Sequence, residues 1–257
     1  MSDFCMAVDV GNTRSSAAVV SRRKVLAALH VPTARREASE IRAVVKTLAG
    51  RFAVRGAVLC SVVPGVNSLW GSALKRQFGV APVIVSHRLN LGFKVAYPKP
   101  STLGADRLAN IAAVAGRHAE PVIVADFGTA STFDVLTADK TYIGGVIAPG
   151  PSLMTEYLAD RTALLPRIRA AGEVGCVGRS TVGAMRIGAR IGYRGMIKEI
   201  IQHLMACLGS RTARLYATGG YSAQAVRETG LPFRVDPHLT FLGLRRIYEL
   251  NQPRPPE

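Results

Sequence analysis

With 257 residues, 48% of them hydrophobic and 19% charged, the chain is long enough for two modest domains with full cores and too apolar to be disordered. No apolar run approaches the roughly 20 residues that span a bilayer, and no basic stretch precedes an apolar run near Asp3 and Asp9, so neither a membrane span nor a signal peptide is expected. The formal charge of +16 would admit a polyanionic partner, but the basic residues come in short groups (Arg22-Arg23-Lys24, Arg35-Arg36, Arg245-Arg246) without interleaved aromatics, which argues against specific nucleic-acid binding.

In chain order the pattern predicts strands at Phe4–Val10, Ser15–Val20 and Val25–Val31, then a helix carrying Ala38, Ile41, Val44, Val45 and Leu48 at helical spacing. A buried strand at Ala57–Val62 follows, then a helix opened by Pro64 with Val66, Leu69, Trp70, Ala73 and Leu74 on one face, then a strand at Pro82–Ser86. Segment Leu91–Gly116 begins extended, restricted by Pro98 and Pro100, and turns helical near Gly104 with Leu108, Ile111, Ala112 and Ala115 inward. The second half repeats the order. Strands are expected at Val122–Asp126, Thr132–Leu136 and Tyr142–Ile147, and helices from Ser152 and from Thr181 to about Leu208. A strand at Leu215–Thr218, a short helix at Ser222–Thr229, a strand at Phe233–Val235, a closing helix at Leu239–Leu250 and a proline-rich tail end the chain. A βββαβαβ unit occurring twice reads as a duplicated α/β architecture, with domains at residues 1–117 and 118–257 and a ligand cleft between them.

Both halves open with the same device. Met6 to Val20 and Val122 to Val135 each run strand, aspartate, glycine turn, hydroxyls, strand, with Asp9 and Asp126 at the mouths of the turns. Glycine lets the backbone turn sharply and approach a ligand, and successive N–H groups make a concave anion site. Two matching turns point to a phosphate chain held from both sides; a single one would read as an ordinary hairpin. A carboxylate beside phosphate is repulsive unless a cation lies between, so Asp9 and Asp126 imply Mg²⁺ and leave room for a second cation. A third glycine turn, Ala217-Thr218-Gly219-Gly220-Tyr221-Ser222, either gives a nucleoside space to lie flat or is a tight strand-to-helix connection.

No Walker A, GxGxxG, HExxH, GxSxG or protein-kinase signature is present. Cys5, Cys60, Cys176 and Cys207 are far apart, which argues against zinc and for a reducing cytoplasm. For a base beside an acceptor, Gly104-Ala105-Asp106-Arg107 joins a carboxylate and a guanidinium at a helix start; a charge complementing the helix dipole is the alternative for Asp106.

Motifs spread over nearly the whole chain resemble the type III pantothenate kinases (CoaX-type) of the acetate and sugar kinase, heat-shock and actin superfold. They are DVGNT at 9–13, SVVP at 61–64, YPKPSTLGADR at 97–107, DFGTASTFDV at 126–135 and YIGGVIAPG at 142–150, with RTALLP at 161–166, STVGAM at 180–185, ATGG at 217–220 and LTFLGLRRIYELN at 239–251. The resemblance implies ATP-dependent phosphorylation of pantothenate to 4'-phosphopantothenate, the first step of coenzyme A biosynthesis, by a cytoplasmic homodimer whose interface helps close the substrate pocket. It implies an ATP-phosphate loop at Asp9, Val10, Gly11, Asn12, Thr13, Arg14, Ser15 and Ser16, and a second from Asp126 with Thr129 on ATP. Asp126 would hold a monovalent cation, potassium or ammonium. Asp106 would be the proton acceptor, and Tyr97, Gly104, Ala105, Asp106, Arg107 and Thr181 would bind pantothenate. The residues suit that chemistry: Arg107 can fork onto a carboxylate, Thr181 can donate a hydroxyl or cap its helix, and Tyr97 can flank substrate or simply pack. The same superfold also carries sugar and polyol kinases, and a transcriptional accessory protein is the reading from another class; an intact Asp9, Asp106 and Asp126 favours the enzyme.

Overall fold

Strand β1 (Phe4–Val10) shows how the sequence builds the first sheet. Alternate side chains of a strand face opposite ways, so Met6, Val8 and Val10 enter one core while Cys5 and Ala7 enter the other. Strand β2 (Arg14–Val20) does the same, with Ala17 and Val19 on one side and Ala18 and Val20 on the other. A sheet buried on both faces needs apolar residues on both, and Cys5 to Val8 of β1 and Ala17 to Val20 of β2 supply them. The computed structural model describes residues 4–34, 37–168, 175–210 and 212–252. The basic pair Arg35-Arg36 and the proline-rich tail at 253–257 lie outside the described residues.

β1 and β2 form an antiparallel hairpin with Asp9 opposite Ser16, and β3 (Val25–Pro32) continues it antiparallel to β2. After α1 (Ala38–Ala49), β4 (Val54–Ser61) returns parallel to β1 with Cys60 beside Asp9. A 3₁₀ turn at Pro64–Val66 leads into α2 (Asn67–Phe78), and β5 (Val83–Ile84) lies beside β4, giving the order β3-β2-β1-β4-β5. Ile41, Val45 and Leu48 of α1 and Trp70, Ala73 and Leu74 of α2 cover one face. Pro64 opens the 3₁₀ turn rather than the α-helix itself. β5 is shorter than the expected Pro82–Ser86, because only Val83 and Ile84 have ladder partners and proline has no N–H to give a ladder.

The second sheet uses β7 (Val122–Phe127), β8 (Ala130–Leu136), β9 (Thr141–Pro149), β10 (Arg214–Thr218) and β11 (Phe233–Val235). Apart from a sixth strand at the β9 edge, its order β9-β8-β7-β10-β11 repeats the first sheet strand for strand. Helices α4 (Leu153–Arg161), α5 (Thr181–Cys207) and α6 (Ser222–Val226) fill the connections. The fold is therefore α/β with a duplicated βββαβαβ topology. An unforeseen strand, β6 (Lys94–Val95), pairs in parallel with the start of β9 at Thr141 and Tyr142.

The chain divides into two compact units: Met1–Ala119 with Asp139–Ile143 and His238–Glu257, and Glu120–Ala138 with Gly144–Pro237. Helices α3 (Ala105–Val114) and α7 (Leu239–Leu250), from distant parts of the sequence, pack together in the first unit. Gly243 makes the close crossing possible, since a side chain there would run into the Ala109 carbonyl and the Ala113 N–H. Leu108 and Ala112 of α3 and Leu244 and Ile247 of α7 then cover the Cys5–Ala7 face of the sheet. No helix among the described residues is long and apolar enough to cross a membrane.

Candidate active site

In the first unit, β1 ends at the turn carrying DVGNT. The Gly11 N–H closes it on the Arg14 carbonyl at 3.0 Å, and the Val62 N–H reaches the Val10 carbonyl at 3.0 Å. Asp9 is half-buried, Val10 buried, and Asn12, Thr13 and Arg14 exposed. Ser15 and Ser16 turn inward at 2% and 6% exposure. The Ser15 hydroxyl meets Thr33 Oγ1 at 2.9 Å, and the Ser16 hydroxyl meets His30 Nδ1 at 2.8 Å. Of the expected loop, Asn12 to Arg14 face outward, while Ser15 and Ser16 tie the loop to β3. His30 is held below the usual histidine range, first by burial and then by the charges of Arg14 and His238.

Thr33 carries no sequence signal of its own. It is 5% exposed just past β3, and no motif marks it.

The second unit holds the other turn. Asp126, the penultimate residue of β7, is in register with Thr132 of β8 and Thr218 of β10. The Gly128 N–H closes on the Ala130 carbonyl at 3.0 Å, and Thr129 is exposed at the tip with its carbonyl taken by the Gly150 N–H at 3.0 Å. The third glycine turn meets this one: Gly219 sits at φ +90, and a side chain there would collide with the Asp126 carboxylate and the Phe127 carbonyl. The Tyr221 N–H donates to that same Phe127 carbonyl at 3.0 Å. Beyond the turn lies a cavity of about 380 Å³ lined by Tyr193, Arg194, Tyr221, Gln224 and the ion pair Arg190–Glu228. Its sequence signal was the pair Gly219-Gly220.

Asp106 lies in the first turn of α3, after an N-cap at Gly104. Its Oδ1 accepts the Arg107 N–H at 2.8 Å. The carboxyl is half-buried, and loss of solvent raises its pKa above the usual carboxylate value against the opposing pull of that hydrogen bond and of the Arg107 charge. Arg107 is 8% exposed with its guanidinium 6.0 Å from the Tyr142 ring centre, and Tyr97 lies 6.3 Å from the same ring. Tyr97 and Arg107 thus lie beside the same ring, that of Tyr142, a fully buried residue to which no motif gave a role; Gly104, Ala105 and Asp106 lead into Arg107 at the start of α3. Thr181 is an exposed residue of the second unit at the start of α5. The helix cap is its neighbour: Ser180 Oγ accepts the Gly183 N–H at 3.1 Å, so capping is not the task of Thr181.

Among the described residues no group of three or more His, Cys, Asp or Glu side chains converges. A divalent ion would therefore complete its shell with oxygens of a bound nucleotide. The Asp126 carboxylate and the Phe127 carbonyl, which both border Gly219, are hard oxygen donors of the kind an alkali-type cation takes.

A family model described as type III pantothenate kinase matches residues 5–203. The chain is 35% identical to the type III pantothenate kinase of Dehalococcoides mccartyi over 98% of this chain and 100% of that protein. It is 42% identical to that of Akkermansia muciniphila over 95% of this chain and 98% of that one. Among solved structures it resembles a ROK family glucokinase from Streptomyces griseus with a TM-score of 0.54 at 15% identity, covering 96% of this chain and 98% of that one, a likeness of fold alone. The fold is that of the acetate and sugar kinases, and the chain belongs to the type III pantothenate kinase family.

Proposed function

We propose a division of labour for the residues of this pantothenate kinase, in which the two glycine turns take the triphosphate and Asp106 takes the proton. The chain phosphorylates pantothenate with ATP to give 4'-phosphopantothenate, the first step of coenzyme A biosynthesis. Phosphoryl transfer asks the protein chiefly for positioning and for charge opposite the equatorial oxygens. A base need only accept the alcohol proton as the bond to phosphorus forms. Asp106 is our base. The observation that carries the assignment is its half-buried carboxyl, made more basic by lost solvent and oriented by the Arg107 N–H.

Arg107, Tyr97, Gly104, Ala105 and Thr181 form the pantothenate side of the reading, with Arg107 directed to the substrate carboxylate. Asp9 to Arg14 line the first phosphate turn, and Ser15 and Ser16 serve it from the inside. Thr129 contacts ATP at the second turn, and the 380 Å³ cavity past Gly220 gives the nucleoside room. Mg²⁺ would neutralise the phosphates between the chain's carboxylates, and Asp126 would hold potassium or ammonium. We further propose a cytoplasmic homodimer. In its support, the large apolar side chains of Ile147, Tyr157, Leu164 and Ile191 in the second unit are 63%, 62%, 91% and 51% exposed.

Pantothenate-dependent release of ADP by purified protein with Mg²⁺ and potassium or ammonium is the test. Turnover of polyols with indifference to pantothenate would favour a sugar-kinase activity, and no turnover at all would favour a regulatory protein.

A further inference from the structure

The first glycine turn is held from β3 by a residue outside every motif. Thr33 makes three contacts with it: Oγ1 donates to the Gly11 carbonyl at 2.7 Å, Oγ1 meets the Ser15 hydroxyl at 2.9 Å, and the Thr33 N–H donates to the Thr13 carbonyl at 3.1 Å. A threonine hydroxyl has one proton. With that proton on the Gly11 carbonyl, Ser15 must be the donor of the second bond. The order Ser15 to Thr33 to Gly11 is therefore directional, and it is shielded, since Ser15 is 2% and Thr33 5% exposed.

The direction matters because a trans peptide is planar, with its carbonyl and the following N–H on opposite sides, and no cis peptide occurs among the described residues. Tying the Gly11 carbonyl inward to Thr33 points the Asn12 N–H outward, on the exposed side of the turn. The Gly11 N–H is spent on the Arg14 carbonyl at 3.0 Å. Glycine resists rotation of its peptide less than any other residue, so without Thr33 the Gly11–Asn12 peptide can flip and present a carbonyl to an anion. A carbonyl in that place repels phosphate.

We propose that Thr33 is a positioning residue for the first phosphate turn, fixing the Gly11–Asn12 peptide so that its N–H faces a nucleotide phosphate. The proposal rests on the kinase reading above and on the first turn's part in it. Thr33 touches no substrate and acts only through Gly11, Thr13 and Ser15.

Thr33→Val removes the hydroxyl and keeps the branched shape and χ1 preference, whereas Thr33→Ser restores the hydroxyl. Steady-state kinetics should show the KM for ATP rising about tenfold or more in Thr33→Val, the loss expected of one buried hydrogen bond in a charged site. The KM for pantothenate should stay within about twofold, and Thr33→Ser should recover most of the affinity for ATP. An unchanged KM for ATP, a parallel rise in both KM values, or no recovery with serine would overturn the proposal. Hydrogen exchange on the wild-type protein provides a readout that does not depend on Thr33→Val folding. The Asn12 amide should gain protection when a non-hydrolysable ATP analogue binds, and an amide that exchanges equally fast with and without it would also overturn the proposal. A wild-type protein that turns over pantothenate while the variants behave alike sinks only this inference; a wild type without pantothenate turnover sinks the kinase reading itself.

Discussion

The two glycine turns occupy equivalent places in the duplicated topology, yet they are supported by different means. The first spans Gly11 to Thr13 between its strands and is fastened by side chains, the Thr33 and Ser15 hydroxyls and the His30–Ser16 pair. The second has only Gly128 and Thr129 between its strands and is fastened by backbone, the Gly150 N–H on the Thr129 carbonyl and Gly219 against Asp126. Support by hydroxyl and imidazole can be removed without changing the space filled. Support by close backbone approach tolerates no added atom. One architecture thus offers a turn that can be tuned and another that is fixed by packing.

Asp106, the proposed base, sets the upper limit of any effect. Asp106→Asn should lower kcat by roughly 10²–10⁴, the usual contribution of a positioned general base, with ATP binding retained in calorimetry. The pH dependence follows from the raised pKa of Asp106. The catalytic form is ionised, so kcat/KM should fall on the acid side at a pH above the ordinary aspartate value of 3.8. A carboxyl raised in the folded state adds stability only below its unfolded pKa, and that contribution is lost as pH rises through the folded one. At neutral pH the ionised Asp106 therefore burdens the fold, and the asparagine variant should melt no lower than the wild type. A melting temperature several degrees lower would show that Asp106 holds structure instead.

Next in size, Gly219→Ala should break the second turn. The added carbon collides with the Asp126 carboxylate and Phe127 carbonyl at a backbone angle that disfavours any side chain. A loss of about 1–3 kcal/mol from overpacking is expected in denaturant unfolding, together with a sharp fall in turnover. A neutral Gly219→Ala would mean that the second turn is as adjustable as the first. Gly243→Ala is the control away from both turns: it should destabilise by a similar amount through the α3–α7 crossing while leaving the KM for ATP of the folded fraction unchanged.

The smallest effect belongs to His30. Its folded pKa lies below the usual histidine value of 6.5, so the stability it contributes is present above that pH and is lost as pH falls below it, where the unfolded chain takes up the proton more readily. Melting curves between about pH 5 and 7.5 should show a steeper acid decline in the wild type than in His30→Gln. Equal slopes would remove His30 from the support of the first turn.

How much of this was legible beforehand depended on the range of the forces involved. Strand alternation at Met6 to Val10, helical spacing at Ile41, Val45 and Leu48, and glycine beside aspartate at each turn are local signals, and they located the duplicated topology and both turns. The family motifs grouped Tyr97 with Gly104 to Arg107, and in the fold Tyr97 and Arg107 lie beside one buried tyrosine. Tyr142 itself went unassigned because its register with Val95 is set by β6, a strand of two residues with no periodicity to read. Ser180 rather than Thr181 caps α5 because the choice between adjacent hydroxyls lies in backbone angles, not in composition.

By itself, then, the sequence determined the alternation that buries both faces of each sheet, the sharp turns at Gly11 and Gly128, and the motif set that assigns the family. Only the tertiary structure decided that Ser15 and Ser16 turn inward, that Thr33 reaches back to Gly11, that Gly219 closes on Asp126 and that α7 seals a core begun at the other end of the chain. Those outcomes depend on contacts between residues far apart in sequence, whose free energy is realised only once the intervening chain has folded.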